Sequence, residues 1–581
     1  MRCVLLLCLV TLIAALEMPP GGEVALAPNA TWIGNAPVVA VAGQAFSKAH
    51  RVVSTQQGLF YQVQHGTPLS VAVRKGDVVA VSFWARCEAV EDETGMGLAH
   101  VYLQRNGEPW NKPLLQSVPL PATWTQFAVA GKSDDNYGPG EMALMFGLGT
   151  SRQTVQIADV QVLNYADRIA LKDLPINRPS YPGRGADAAW RAPAAERIRS
   201  LRMAPLEVEV VDVTGVPVAN VPVAIVQTRH AFPFGSAFTA RHLTGDSDNA
   251  AIYRAKAVEL FNAGTLENGL KWGAWDNQWG TEHFGRDKAL AALRWCQDNN
   301  LAMRGHVFVW PSKRHLPNAV KAALAAGDAA AVRAACDAHI DDLAAATKGL
   351  LHEWDVVNEP YSNHDIMDLC GPEVMLDWFA RAREHLPGVA LALNDYGILT
   401  AHKDDEHQAH FETTLRYLLD NGAPIDVIGM QGHFGGSPTG PERILAVLDR
   451  FAALGLKIRI TEFDIDTGDE ELQADFTRDF LTAVFSHEAV IGVQFWGFWS
   501  GAHWRKRAAL YDQDWNERPN GRAYRELVHD SWNTTATLTT DAQGRVKIEG
   551  FMGAYTVTAG DKVVPMTLSA ASPVLRVVLP Q

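Results

Sequence analysis

Cysteine is scarce in this chain. There are six in 581 residues, with no CxxC pair and no regular spacing, so disulfides are not required to hold the fold and no cysteine-built metal site is indicated. Basic residues are outnumbered as well. Lys and Arg total 51 against 65 Asp and Glu, a formal net charge of −14 with no extended basic stretch. That excludes nucleic acid as a partner, because phosphate recognition needs a positive patch. Long apolar runs are also missing. The run from Val4 to Ala15 is shorter than the roughly 20 residues that span a bilayer. With Met1-Arg2 before it and Glu17 and two prolines after it, this run predicts a signal peptide over 1–15 and a secreted, extracellular chain with no membrane attachment once it is removed. Cys3 and Cys8 leave with it, and Cys87, Cys296, Cys336 and Cys370 stay. No Gly-rich phosphate loop follows a first strand and the His–Glu spacings form no zinc motif, so neither cofactor nor metal is expected.

Two things are abundant: length and tryptophan. A chain of 581 residues exceeds a single core, since domains run to roughly 150 residues and barrels to about 250, so three or four domains are expected. Residues 25–166 read as a β-sandwich, with segments such as Val78–Arg86, Trp124–Val129 and Thr154–Leu163 separated by Gly, Asn and Asp turns. Residues 167–204 are rich in Pro, Ala and Arg and read as a linker with some helix. A hairpin turning at Gly215 is expected within 205–230, and β structure returns over 534–581. Neither stretch can bury a sandwich core alone, so the two are expected to pair into one small split β-sandwich around an inserted domain.

That insertion, residues 231–533, alternates short apolar strands with helical patterns. Eight strand candidates stand out: Phe234–Ala237, Ala263–Glu267, Ala302–Val309, Glu353–Asn358, Leu391–Asn394, Val427–Gln431, Lys457–Glu462 and Gly492–Trp496. Eight such units predict a (β/α)8 TIM barrel. The fold class expected is therefore multidomain: a TIM barrel, an N-terminal β-sandwich and a second small sandwich formed by the segments flanking the barrel.

In such barrels reactive groups sit where strands end. The fourth candidate ends in Asn358-Glu359 and the seventh in Glu462, with Asp464 two residues on and so on the same side. The sixth ends in Gln431 and His433, again two apart. The second gives Glu267-Asn268 and then Lys271, the third His306 and Trp310, the fifth Asn394-Asp395-Tyr396, and the eighth Trp496 and Trp504. Two carboxylates in one pocket are what glycoside hydrolysis requires. A separation of about 5–5.5 Å gives retention, and about 6.5–9.5 Å leaves room for water and gives inversion. Flat indole faces suit sugar rings.

These motifs resemble glycoside hydrolase family 10, the xylanases, over about 300 residues. The likeness is carried by WDVVNEP at 354–360, ITEFDI at 460–465, ENGLKW at 267–272, RGHVFVW at 304–310, GMQGHF at 429–434, and the pair Trp496 and Trp504. The resemblance implies double displacement on internal β-1,4-xylosidic bonds of xylan or a related plant cell-wall polysaccharide. Glu462 would attack the anomeric carbon. Glu359 would protonate the leaving oxygen and then serve as base. Asp464 would orient His433, His433 would bond Glu462, and Asn358 would bond the sugar 2-hydroxyl. Glu267, Asn268, Lys271, His306, Trp310, Tyr396, Gln431, Trp496 and Trp504 would bind substrate.

The chain departs from the family pattern at Pro311 and Lys313, in the basic run Lys313-Arg314-His315, and in GFWSGAH at 497–503. Lys313 or Arg314 is a candidate reader of an acidic decoration. The N-terminal sandwich resembles a carbohydrate-binding module, with Trp84, Trp110, Trp124 and Tyr137 as candidate aromatics. Two other readings stand beside the xylanase. One is a retaining β-glucanase or mannanase on the same barrel. The other is a non-catalytic polysaccharide-binding protein, against which the intact Glu359, Glu462, His433 and Asp464 speak.

Overall fold

The computed structural model describes residues 16–91, 96–176, 180–571 and 574–580. The signal peptide expected at 1–15 lies outside the described residues. Among them, no helix is long and apolar enough to cross a membrane. The chain forms two compact units, Met1–Pro179 and Ser180–Gln581.

The first unit is a β-sandwich. One antiparallel sheet is built on the long strands Val78–Val90 and Gln153–Asn164, flanked by Lys48–Ser54 and Thr125–Lys132. The other holds Gln64–Pro68, Met142–Gly147, Gly97–Arg105 and Leu114–Leu120. Strand alternation builds the core: Val79, Val81, Phe83 and Ala85 from the first sheet meet Val101, Leu103, Leu144 and Phe146 from the second.

In the second unit eight parallel strands close a barrel: β1 (Phe234–Phe238), β2 (Ala263–Leu266), β3 (Ala302–Gly305), β4 (Glu353–Asn358), β5 (Ala390–Asp395), β6 (Val427–Phe434), β7 (Lys457–Ile465) and β8 (Val490–Phe495). β8 returns to pair with β1. Every residue of β1, β2, β4 and β6 is buried, as expected for strands covered on both faces. The third strand is shorter than its apolar run. It leaves the ladder after Gly305, and the following segment stays against β4 through Phe308 N–H on Asp355 O (3.1 Å) and Val309 N–H on Val356 O (3.0 Å), which carry Trp310 to the end of β4. Some of the helices between the strands start on side-chain caps, those of Ser247, Asp328, Asp405 and Asp469.

Charges occupy the barrel interior. Arg304 on β3 donates to Glu353 (2.9 Å) and to Asp355 on β4, and Arg459 on β7 donates to the other oxygen of Glu353 (2.8 Å). Asp355 also holds His306 Nδ1 (2.8 Å). Burial alone would push the Glu353 carboxyl up, but the two guanidiniums hold it below its usual range.

The segments flanking the barrel pair with each other, and this corrects the hairpin expected at Gly215. The turn exists, with Asp212 N–H on Val216 O (2.9 Å), but the strands on either side of it part into different sheets. Met203–Val211 pairs with Arg545–Phe551 and Leu575–Val578, while Pro222–His230 pairs with Thr535–Thr539 and Gly553–Ala559. The reason is burial: Leu206, Val208 and Val210 can meet Val223 and Ile225 across one core only from opposite sheets. The stretch read as a linker with some helix contains one. Its helix Arg191–Arg202 docks on the helix Glu470–Phe485, where Ala194 packs on Ala483, Arg191 pairs with Asp479 (2.7 Å), and the Tyr181 hydroxyl donates to Asp479 (2.8 Å).

Candidate active site

Glu359 follows β4 directly. Its φ is +56°, a left-handed conformation that costs a non-glycine residue about 1–2 kcal/mol. Two backbone bonds fix it there, Glu359 N–H to Asn394 O (2.8 Å) and Asn363 N–H to Glu359 O (3.0 Å). The carboxylate is turned inward and buried. Trp310 Nε1 and Asn363 Nδ2 donate to Oε2, each at 3.1 Å, and Gln431 Nε2 donates to Oε1 at 2.9 Å.

Glu462 lies inside β7, level with Gln431 of β6, and Asp464 lies level with His433. This register makes a relay. His433 Nε2 is 3.2 Å from Glu462 Oε2, and its Nδ1 is 3.1 Å from Asp464 Oδ2. Asp464 also accepts from the Trp504 indole (2.7 Å) and faces the Arg505 guanidinium at 3.8 Å. Burial would raise both carboxyls. At Asp464 the charge and hydrogen bond of His433, with Arg505 behind, overcome it and hold the group at about 2. At Glu462 the His433 hydrogen bond, with His306 and Lys271 nearby, overcomes it and holds the carboxyl below its usual range, so Glu462 is ionised across neutral pH.

A line of amides joins the two carboxylates. Asn394 Nδ2 donates to Glu462 Oε1 and to Asn358 Oδ1, both at 2.9 Å, and Gln431 Nε2 reaches Asn358 Oδ1 at 3.4 Å while it donates to Glu359. Thr461 Oγ1 fixes the Asn394 amide by donating to its oxygen (2.8 Å). Asn394 therefore touches Glu462 with its side chain and Glu359 with its backbone. It was visible at the end of the fifth predicted strand, but its pairing across to β7 is set by strand register and not by any motif. Asn363, four residues beyond Glu359, is a second residue that the motifs do not single out. Asn358 Nδ2 is buried with no hydrogen-bond partner among the described residues, leaving a donor for a ligand.

The remaining predicted residues form the rim. Lys271 Nζ bonds Asn268 Oδ1 (3.0 Å) and stands 5.0 Å over the Trp310 ring and 6.0 Å from that of Trp496. His306 meets Trp496 edge-on at 5.3 Å. Glu267 has its carboxyl pushed up by burial, which outweighs the neighbouring Lys271. Trp504 is 44% exposed and edge-on to His433. Tyr396 packs edge-on against His407, which stacks on Tyr361, two residues past Glu359. His315 lies flat on Trp310, with ring centroids 3.4 Å apart, and so covers one indole face. Lys313 is exposed, but its backbone N–H is tied to Asp365 (2.8 Å) and its ammonium is 3.9 Å from the same carboxylate, which competes with any acidic sugar.

Two buried carboxylates, one held ionised, with the Asn358 amide donor and indole faces around them, can perform acid–base and nucleophilic chemistry on a glycosidic bond. The chain is similar to several known proteins. An anti-sigma-I factor, RsgI6, of Acetivibrio thermocellus is 31% identical over 65% of this chain, and endo-1,4-beta-xylanase 1 of Arabidopsis thaliana is 27% identical over 57%. The chain spans 48% and 34% of the lengths of these two curated relatives. Endo-1,4-beta-xylanase 3 of Hypocrea jecorina is 28% identical over 52% of this chain and 84% of its own. Among solved structures, xylanase 10B of Thermotoga maritima aligns over 52% of this chain and 96% of its own, with 26% identity and a TM-score of 0.46. The model of glycosyl hydrolase family 10 matches residues 225–529, just over half of the sequence, and the chain belongs to that family.

Proposed function

We propose that this protein is a secreted, retaining endo-1,4-β-xylanase. The observation that carries the reading is the pair Glu359 and Glu462, buried just past the end of β4 and within β7 and linked through Gln431, Asn358 and Asn394. Glu462, kept ionised, attacks the anomeric carbon from one side of the sugar. Glu359, entering protonated, gives its proton to the leaving oxygen and then takes one from the incoming water. His433 and Asp464 hold Glu462 in place and in charge. The unpartnered Asn358 Nδ2 is set for the 2-hydroxyl, a contact that strengthens in the transition state. Glu267, Asn268, Lys271, His306, Gln431, Trp310, Trp496 and Trp504 hold the sugar side of the cleft, and Tyr396 the wall beyond Glu359. The N-terminal unit is an accessory that holds the same polysaccharide.

The deciding experiment measures reducing-sugar release from xylan, cellulose and mannan side by side. Release from xylan above the other two is expected. Preferential release from cellulose or mannan would make the chain a glucanase or mannanase, and binding without release would make it a polysaccharide-binding protein. A Glu462→Ala variant with full xylanase activity would overturn the residue assignment.

A further inference from the structure

The aromatic side chains of the N-terminal unit divide by their surroundings. Tyr137 is 2% exposed in the main core, with its hydroxyl on Asp134 (2.8 Å), and Trp32 packs on that same core. Trp84, Trp124 and Phe46 are half-buried, yet they belong to none of the hydrophobic clusters among the described residues. Instead they gather with one another: Phe46 meets Trp124 at 4.9 Å and 75°, and Trp84 at 5.7 Å and 48°.

Strand alternation explains their position. Along Val78–Val90, Val79, Val81, Phe83 and Ala85 face the core, so Ser82, Trp84, Arg86 and Glu88 face the other way. One end of that outer face, Val78 and Ala80, is covered by Tyr165 and Leu174. The end bearing Trp84 is not part of that cluster. There Trp84 stands opposite Ala158 on one neighbouring strand and Gln126 on the other, and Gln156 stands between Arg51 and Arg86.

The polar residues beside the rings are locked to one another. Arg51 Nε donates to Glu88 (2.7 Å), Arg86 Nε donates to Gln156 (3.2 Å), and Gln156 donates to Glu88. The Arg86 guanidinium lies 5.3 Å over the Trp124 ring. The Arg51, Arg86 and Glu88 side chains keep 38%, 35% and 25% of their surface in solvent, so they remain available to a ligand. Indole faces pack on the C–H faces of a pyranose, and planar amide, carboxylate and guanidinium groups match adjacent sugar hydroxyls. Groups already fixed by each other lose little freedom on binding. Rings inclined at 48° and 75° do not make one plane, which suits a single twisting chain and not the flat surface of a crystal.

We propose that this face binds a single β-1,4-linked xylan chain through Trp84, Trp124 and Phe46, with Arg51, Arg86 and Glu88 on its polar edge, held in place by the buried Gln156. The proposal rests on the reading that the N-terminal unit holds the polysaccharide that the barrel cuts. The test uses the full chain and two readouts, adsorption to insoluble xylan or microcrystalline cellulose, and the rate on a soluble aryl xylobioside. Trp84→Ala, Trp124→Ala and Arg86→Ala are each expected to weaken xylan adsorption about tenfold or more and to leave the soluble rate unchanged. An unchanged far-ultraviolet circular dichroism spectrum and thermal transition of the N-terminal unit exclude misfolding. Trp310→Ala is expected to do the reverse. Wild-type adsorption by both Trp84→Ala and Arg86→Ala would overturn the face. Equal retention on microcrystalline cellulose would overturn the single-chain ligand. An intact protein that cleaves the soluble substrate but does not adsorb to xylan would overturn the accessory role alone. A protein that adsorbs through this face but cleaves nothing would overturn the xylanase reading alone.

Discussion

Asn394 is the residue on which both carboxylates depend, because one amide holds Glu462 while its own carbonyl holds the Glu359 backbone. Removing a single preorganised donor at a charged reaction centre costs about 10²–10³-fold in kcat. Asn394→Ala is therefore expected to lose about that factor on xylan, measured at saturating substrate. His433 acts on Glu462 through its hydrogen bond and, less, through its charge. Both lower the Glu462 pKa against burial, so His433→Ala removes both and raises that pKa. The acidic limb of the kcat/KM profile is then expected to move to higher pH, and an unmoved limb would show that His433 does not set the ionisation of Glu462. Asp464 adds a stability term of definite sign. Its folded pKa of about 2 lies below the ordinary 3.8, so its contribution is complete above pH about 4 and fades as pH falls toward about 2. Glu359 and Glu462 were legible in the sequence because each follows an apolar run at a strand end. Asn394 was visible at the end of the fifth predicted strand but its partner was not, and Asn363 was not singled out at all, since an Asn has many uses and only the folded register names its partner.

At the scale of elements, the barrel is held from inside by ions as well as by packing. Arg304, Glu353, Asp355 and Arg459 come from three strands, and the bonds among them close over 49, 51 and 106 residues of sequence. Strand positions could be read from apolar runs and their spacing. These pairings could not, because a charged residue within an apolar run carries no label for the strand it will face. Breaking a buried pair leaves an uncompensated charge and costs about 3–5 kcal/mol. Glu353→Gln is expected to destabilise the barrel unit by about that amount, measured by denaturant unfolding, with no group that faces substrate removed.

At the scale of the whole molecule, the chain's two ends of the barrel unit meet in one small sandwich, so residues more than 300 positions apart share a core. The need for a partner was legible, because neither β segment could bury its apolar face alone. The division of the hairpin expected at Gly215 between two sheets was not, since a turn motif fixes the turn and not the destination of its strands. Ile225 is fully buried there, and Ile225→Ala is expected to cost about 2–5 kcal/mol in unfolding experiments while leaving kcat/KM on soluble substrate intact at low temperature. The most direct test of the central claim is covalent capture of the nucleophile. A 2-fluoro xylobioside with a good leaving group forms a glycosyl-enzyme that hydrolyses slowly, and peptide mass spectrometry then locates the sugar. One label per chain on Glu462 is the expected result. A label on Glu359, or time-dependent turnover with no covalent adduct and inversion at the anomeric carbon, would contradict it.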